Sequence, residues 1–165
     1  MSIANSTAGK YASVNECHDD MDVFILENPI EIGSDINTIS EYEQALKFFD
    51  ETIELSTQET ALAAAYLNKG IILAQINRDE EAISIYKKIE LRFSESNDAF
   101  VQMEVANALI NKVESLIKLG RYEAGLNICY KFIQRYNLSN DDKIIELNSI
   151  MHNLKHELLD KLDQY

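Results

Sequence analysis

The chain has 165 residues, 46% hydrophobic and 26% charged, with one proline and five glycines, enough for one domain with a buried core and suited to long helices. Its net charge is −13, and residues 1–60 carry most of it, with 13 acidic against 2 basic side chains. That balance argues against nucleic acid and anionic membrane surfaces as partners, since both call for Lys and Arg, and it favours a protein or peptide partner, a basic one where charge steers the encounter.

Residues 1–37 read as an acidic, flexible arm, rich in small polar side chains up to Asp22,. Met1 to Asn15 has no apolar core of a signal peptide, and no apolar run reaches transmembrane length. Cys17 and Cys129 are too far apart and too few for a disulfide framework,. A cytoplasmic location is expected. Val23-Phe24-Ile25-Leu26 is an apolar island within the arm. It reads as an N-terminal cap of the domain, with a docking motif as the alternative. Pro29 and Gly33 argue against an ordinary helix over 27–37,.

A helical domain is expected over 38–165. Ser40-Glu41-Tyr42-Glu43 has the form of a capping box and predicts a helix from Ser40 to about Leu55,. Apolar residues at helical spacing predict a helix over Leu62–Gln75,. Arg78-Asp79-Glu80-Glu81 opens the next, with acids in the first turn, and it runs to about Phe93,. After the turn Ser94–Asp98 a longer helix runs from about Ala99 to Leu119 and stops at Gly120, a glycine at the usual C′ position,. A further helix covers Arg121 to about Tyr136. Ser139–Asp142 then caps a last one to Leu162, which has no partner after it and reads as a C-terminal capping helix,.

The chain also repeats itself. A shift of 43 places lays Ala65, Asn68, Lys69, Leu73, Arg78, Glu80 and Ile85 on Ala108, Asn111, Lys112, Leu116, Arg121, Glu123 and Ile128, and the match continues to Asp98 on Asp141. Such a period marks stacked helical units, each burying its apolar face on the next. The fold class expected is all-α: stacked antiparallel helical hairpins forming an α-solenoid.

The hairpins resemble tetratricopeptide repeats. Gly70 and Ala82 stand at that family's small positions, with Tyr66, Leu73 and Tyr86 at its large ones. In the second unit Gly125 and Leu116 match, Leu119-Gly120-Arg121-Tyr122 gives the turn, and Val113 replaces the first-helix glycine. Ala45 and Phe49 supply the signature once more. The spacing of 43 exceeds the family's period of about 34, and Ser94 and Asn137 replace the usual closing proline. The resemblance implies a protein-binding module whose first helices line a concave groove. Carried over by position, it nominates Asn68, Ile71 and Gln75, then Asn107, Asn111, Glu114 and Lys118. Asn68 and Asn111 share one position, and a carboxamide can both donate to and accept from a peptide backbone. The alternative for this pair is hydrogen bonding between neighbouring helices. The Lys, Arg and Asn cluster with which some members grip a terminal carboxylate is missing, because Lys118 is the one basic residue among these positions.

Sequence motifs for chemistry are sparse. No phosphate loop, nucleophile elbow or zincin motif is present,. His152 and His156 share a helical face, without an evident third metal ligand, although Glu157 or Asp160 could serve,. Cys17-His18-Asp19-Asp20 lies in the arm, Cys129 falls on a core position, and Asp79-Glu80-Glu81 reads as a helix start,. Neither an enzyme, a cofactor nor a metal is expected. Besides the groove adaptor, a second functional class stands: an inhibitor or immunity-type protein that neutralises a basic partner through the acidic first 60 residues.

Overall fold

The computed structural model describes residues 36–164, with side chains from Ser40 onward. Residues 1–35 of the arm, with the island at 23–26, Cys17 and Pro29, lie outside the described residues, and its last two residues open α1. Among the described residues there are six α-helices and no strand: α1 (Ile36–Leu55), α2 (Glu59–Gln75), α3 (Asp79–Phe93), α4 (Ala99–Lys118), α5 (Tyr122–Tyr136) and α6 (Asp142–Leu162). The all-helical expectation holds, and five of the six helices begin within three residues of where the pattern placed them.

The exception is α1. It starts at Ile36, so Ser40 sits inside the helix and its Oγ accepts from Gln44 Nε2 at 3.4 Å instead of capping the backbone. Ile36 and Ile39 continue the apolar spacing of Tyr42, Leu46 and Phe49 one turn upstream, and that spacing prevails over the box. The repeat holds at the level of backbone geometry. Asn77 and Gly120, 43 apart, are the described residues with positive φ, 60° and 69°. Each closes a helix in the same way. Asn77 N–H donates to Ala74 O and Arg78 N–H to Leu73 O, while Gly120 N–H donates to Ile117 O and Arg121 N–H to Leu116 O, the paired bonds of a Schellman motif. Asp98 and Asp141, again 43 apart, cap α4 and α6: Asp98 Oδ1 accepts from Val101 N at 3.1 Å, and Asp141 Oδ1 from Lys143 N and Ile144 N at 2.9 and 3.2 Å.

Consecutive helices pack as neighbours, and in addition α2 packs on α4 and α4 on α6. No comparable packing joins α1 to α3 or α3 to α5. Polar side chains link these instead: Arg78 reaches Glu43 at 3.8 Å, and Arg121 pairs with Glu80. The core runs between the layers through Phe49, Leu62, Leu73, Tyr86, Ile89, Phe93, Val101, Val105, Val113, Phe132, Met151 and Leu158, all almost free of solvent. Each large side chain so buried contributes about 1.5–3 kcal/mol. Gly70 admits the Tyr86 ring: a Cβ there would lie 2.3 Å from Tyr86 Cε1. In the next unit the same two positions hold Val113 and Cys129, both fully buried.

A lysine clamps each of α2, α4 and α6 onto the helix before it. Lys69 pairs with Asp50 of α1, Lys112 with Glu90 of α3 at 2.8 Å, and Lys155 lies 5.7 Å from the Tyr130 ring centroid of α5. These three lysines stand 43 residues apart in turn.

Candidate functional site

The residues nominated from sequence lie on α2 and α4, the two helices that pack directly on one another. In α2 the stripe Ala64, Asn68, Ile71, Gln75 follows helical spacing. Asn68 is only 8% exposed, while Ile71 and Gln75 are half-buried. In α4 the matching stripe is Asn107 and Asn111, both half-buried, then Glu114 and Lys118, both exposed. The step of 43 continues it into α6 as Ile150, Leu154, Glu157 and Lys161, so that Ile71, Glu114 and Glu157 form one row across the three helices and Gln75, Lys118 and Lys161 the next.

The two asparagines are not equivalent in use. Asn111 Nδ2 donates back to Asn107 O at 2.9 Å within its own helix, a common local bond for Asn. It leaves Oδ1 as an acceptor. Among the described residues no hydrogen bond joins either carboxamide to a neighbouring helix, and the low exposure of Asn68 comes from the close approach of α2 and α4.

Electrostatics concentrate at the lower end of the stripe. Lys118 reaches away from its own helix: its Nζ donates to Ala74 O at 3.3 Å, the exposed C-terminal turn of α2, and lies 3.6 Å from Asp79 Oδ1 at the start of α3. A cation suits the carbonyl end of α2. Asp79 is almost buried, with an 8% exposed side chain, and its Oδ1 finds no hydrogen-bond donor among the described residues. The same is true of the Tyr86 hydroxyl, which is wholly buried. Burial, and then the carboxylates of Glu114 and Asp79, push the Tyr86 hydroxyl far above its ordinary range,. Glu114 keeps exposed surface, yet the protein atoms around its carboxyl raise its pKa. Lys118 opposes that rise and Glu157 adds to it, as two like charges in reach of each other must. Among the described residues neither Glu114 nor Glu157 has an ion-pair partner.

The sequence reads Asp79 as a helix start, Tyr86 as core and Glu157 only as a side chain that could join the two histidines, not as part of this stripe. Carrying the 43-residue step once beyond Glu114 finds it.

A second feature is a surface cleft of about 420 Å³ between α1, α2 and the start of α3, floored by Leu46 and Leu73. Its rim holds Glu43, Asp50, Glu51, Glu54 and Glu81 against Lys47, Lys69 and Arg78. Arg78 is held by Glu81 through two hydrogen bonds of 2.6 and 2.7 Å. The histidines expected on one face are half-buried (His152) and exposed (His156). Among the described residues no three His, Cys, Asp or Glu side chains come together as a metal site. Cys129 is buried and unpaired, and burial pushes its thiol up to about 11. No described helix is long and apolar enough to cross a membrane. Compared with family models, with curated proteins and with solved structures, the chain matches none.

Proposed function

We propose that this chain is a tetratricopeptide-like interaction module that binds a protein or peptide segment on the face lined by α2, α4 and α6. One observation carries the reading. The first helices of successive hairpins pack on one another while the second helices do not, so equivalent positions fall into rows on a single inner surface, as in a curved solenoid. That surface is polar and partly recessed: carboxamides at 107 and 111, carboxylates at 114 and 157, amines at 118 and 161. It suits capture of an extended segment through backbone and side-chain polar groups.

The test is affinity capture from the native lysate by the full chain, beside Asn111→Ala/Lys118→Ala and a deletion of residues 1–37. A partner kept by the deletion and lost with the face variant supports the groove. A basic partner lost with the deletion and released by salt supports the acidic-region inhibitor. The rim of the α1 cleft favours that second reading through its excess of carboxylates, five against three cations, since net charge of one sign steers an opposite partner and is screened as salt rises.

A further inference from the structure

We infer that His152 and His156 of two copies of this chain bind one zinc-class metal ion between them, and that the ion joins the copies through α6. The two histidines stand four apart on one helical face, the spacing at which two imidazoles reach one ion. Steps of 43 carry Tyr66 and Leu109 to His152, and Gly70 and Val113 to His156. Burial supports this register for α4 and α6: Val101 and Ile144, Ala108 and Met151, and Ser115 and Leu158 are all enclosed. In α2 and α4 the face in question is covered by the following helix. The Tyr66 ring centroid lies 6.3 Å from that of Phe93 in α3. Gly70 lies against Tyr86 of α3, and a Cβ on Gly125 of α5 would stand 3.7 Å from Val113. Among the described residues no helix follows α6, and the same positions hold a half-buried His152 and an exposed His156. An imidazole pair thus stands on the face that the other two helices give to packing.

One chain supplies half a site. Zinc in a closed site takes four ligands. Among the described residues no three His, Cys, Asp or Glu side chains come together, so neither Glu157 nor Asp160 completes the pair. A second copy related by two-fold symmetry brings the same two imidazoles and fills the set. The seam around the pair is self-complementary. Ile145, His152 and Leu159 recur at intervals of seven, the spacing of a helix–helix contact. His152 stands at the middle of the three, so in an antiparallel pair Ile145 of each copy falls opposite the partner's Leu159. Ile145 is 48% exposed and Leu159 half-buried, and both are open to such a contact. Ser149, beside them, turns its hydroxyl back to Ile145 O at 3.1 Å.

The ion is needed for the contact to hold. Two apolar side chains from each copy bury little surface, and each chain carries a net charge of −13, whose self-repulsion opposes association. Asp142 and Asp160 flank the seam by helical spacing,, and add to that repulsion. A divalent cation held between the copies offsets both deficits. Imidazole ligands select zinc, copper or nickel, whereas calcium and magnesium prefer oxygen. Leu154, Glu157 and Lys161 lie on another side of α6 by the same spacing,, so the inference does not rest on the groove reading.

The experiment is sedimentation velocity of the full chain under reducing conditions, first in a metal chelator and then with zinc alone, one ion for every two chains. The mass of one chain is expected in chelator and the mass of two in zinc, with magnesium producing no change. His152→Gln/His156→Gln is expected to stay at the mass of one chain in zinc, and so is His156→Gln alone, which alters only an exposed side chain. Far-UV circular dichroism verifies that both variants keep the helical fold. A zinc-dependent dimer kept by either variant, as ligands in the arm such as Cys17 and His18 would give, overturns the inference. A dimer already formed in chelator overturns it, and so does a parent chain that stays single in zinc.

Discussion

Gly70→Ala is expected to destabilise the domain although alanine is the better helix former. A Cβ at Gly70 would meet Tyr86 Cε1 at 2.3 Å, Cδ1 at 2.9 Å and Cζ at 3.0 Å, and the ring cannot swing aside because Tyr86 has no exposed surface. Overpacking of this kind costs about 1–3 kcal/mol, and a rigid ring held at three atoms belongs to the upper part of that range. Helix propensity returns at most about 1 kcal/mol, leaving a net loss of about 1–2 kcal/mol. Urea unfolding followed by circular dichroism would read this as a midpoint lowered by about 0.5–1 M for a usual slope. The second unit supplies the control. Its Val113 and Cys129 stand where Gly70 and Tyr86 do, so Gly70→Val/Tyr86→Cys is expected to be more stable than the sum of its single changes predicts, by at least about 1 kcal/mol. Strict additivity, or a Gly70→Ala variant as stable as the parent, refutes the claim that ring and glycine were fitted to each other.

The turn between α3 and α4 is held by Gln102, whose Nε2 donates to the carbonyls of Phe93, Ser94 and Ser96 at 3.1, 3.2 and 2.8 Å. Gln102→Ala frees part-buried acceptors and is expected to cost about 1–2 kcal/mol in the same unfolding assay. Glu114→Gln should act in the other direction, and with pH. The folded-state pKa of Glu114 is raised, by desolvation first and by Glu157 besides. Protonated Glu114 is therefore the form the fold prefers. Its contribution is fully present below the ordinary carboxylate range and is lost as pH rises through the raised value. The variant is thus expected to exceed the parent by less than about 1 kcal/mol at neutral pH, with the gap closing in acid; paired unfolding curves across that range check it. Cys129, whose thiol burial holds at about 11, should resist a thiol reagent at neutral pH in a Cys17→Ser background and react only as urea opens the domain. Rapid labelling of the native protein would contradict its burial.

The local signals in the sequence were enough for the helices and for their period. Asp98 and Asp141 cap where the pattern put them because an aspartate before an apolar helical run satisfies the first free amides with its own oxygen. Gly120 ends α4 for an equally local reason, and Asn77 does the same work for α2 with a residue that tolerates positive φ. The start of α1 falls upstream of the sequence reading because Ser40 and Glu43 offer a cap while Ile36 and Ile39 extend the apolar spacing by one more turn,. The environment of Asn68 was not legible at all. Its low exposure depends on how closely α2 and α4 approach, a property of two helices and not of a position in one. The same holds for Asp79 and Tyr86, whose polar atoms are buried without a hydrogen-bond partner among the described residues, a consequence of packing and not of sequence position.

Periodicity alone does not separate structural from binding residues in this chain, but periodicity with pairing does. Lys69, Lys112 and Lys155 recur at one position and meet three different partners: an aspartate, a glutamate and a tyrosine ring. What recurs is a cation that draws a first helix onto the second helix before it, and the partner is whatever that helix presents. The core behaves alike: a small residue and a large ring at Gly70 and Tyr86 recur as two buried side chains of middling size at Val113 and Cys129, a redistribution that volume-conserving exchanges allow. At Glu114 the pattern differs. Its pKa is raised by burial first, Lys118 opposes that rise and Glu157 adds to it, so the charge repeated at this position answers to a lysine of its own helix, one that also reaches Ala74 O and Asp79, and not to the helix before it.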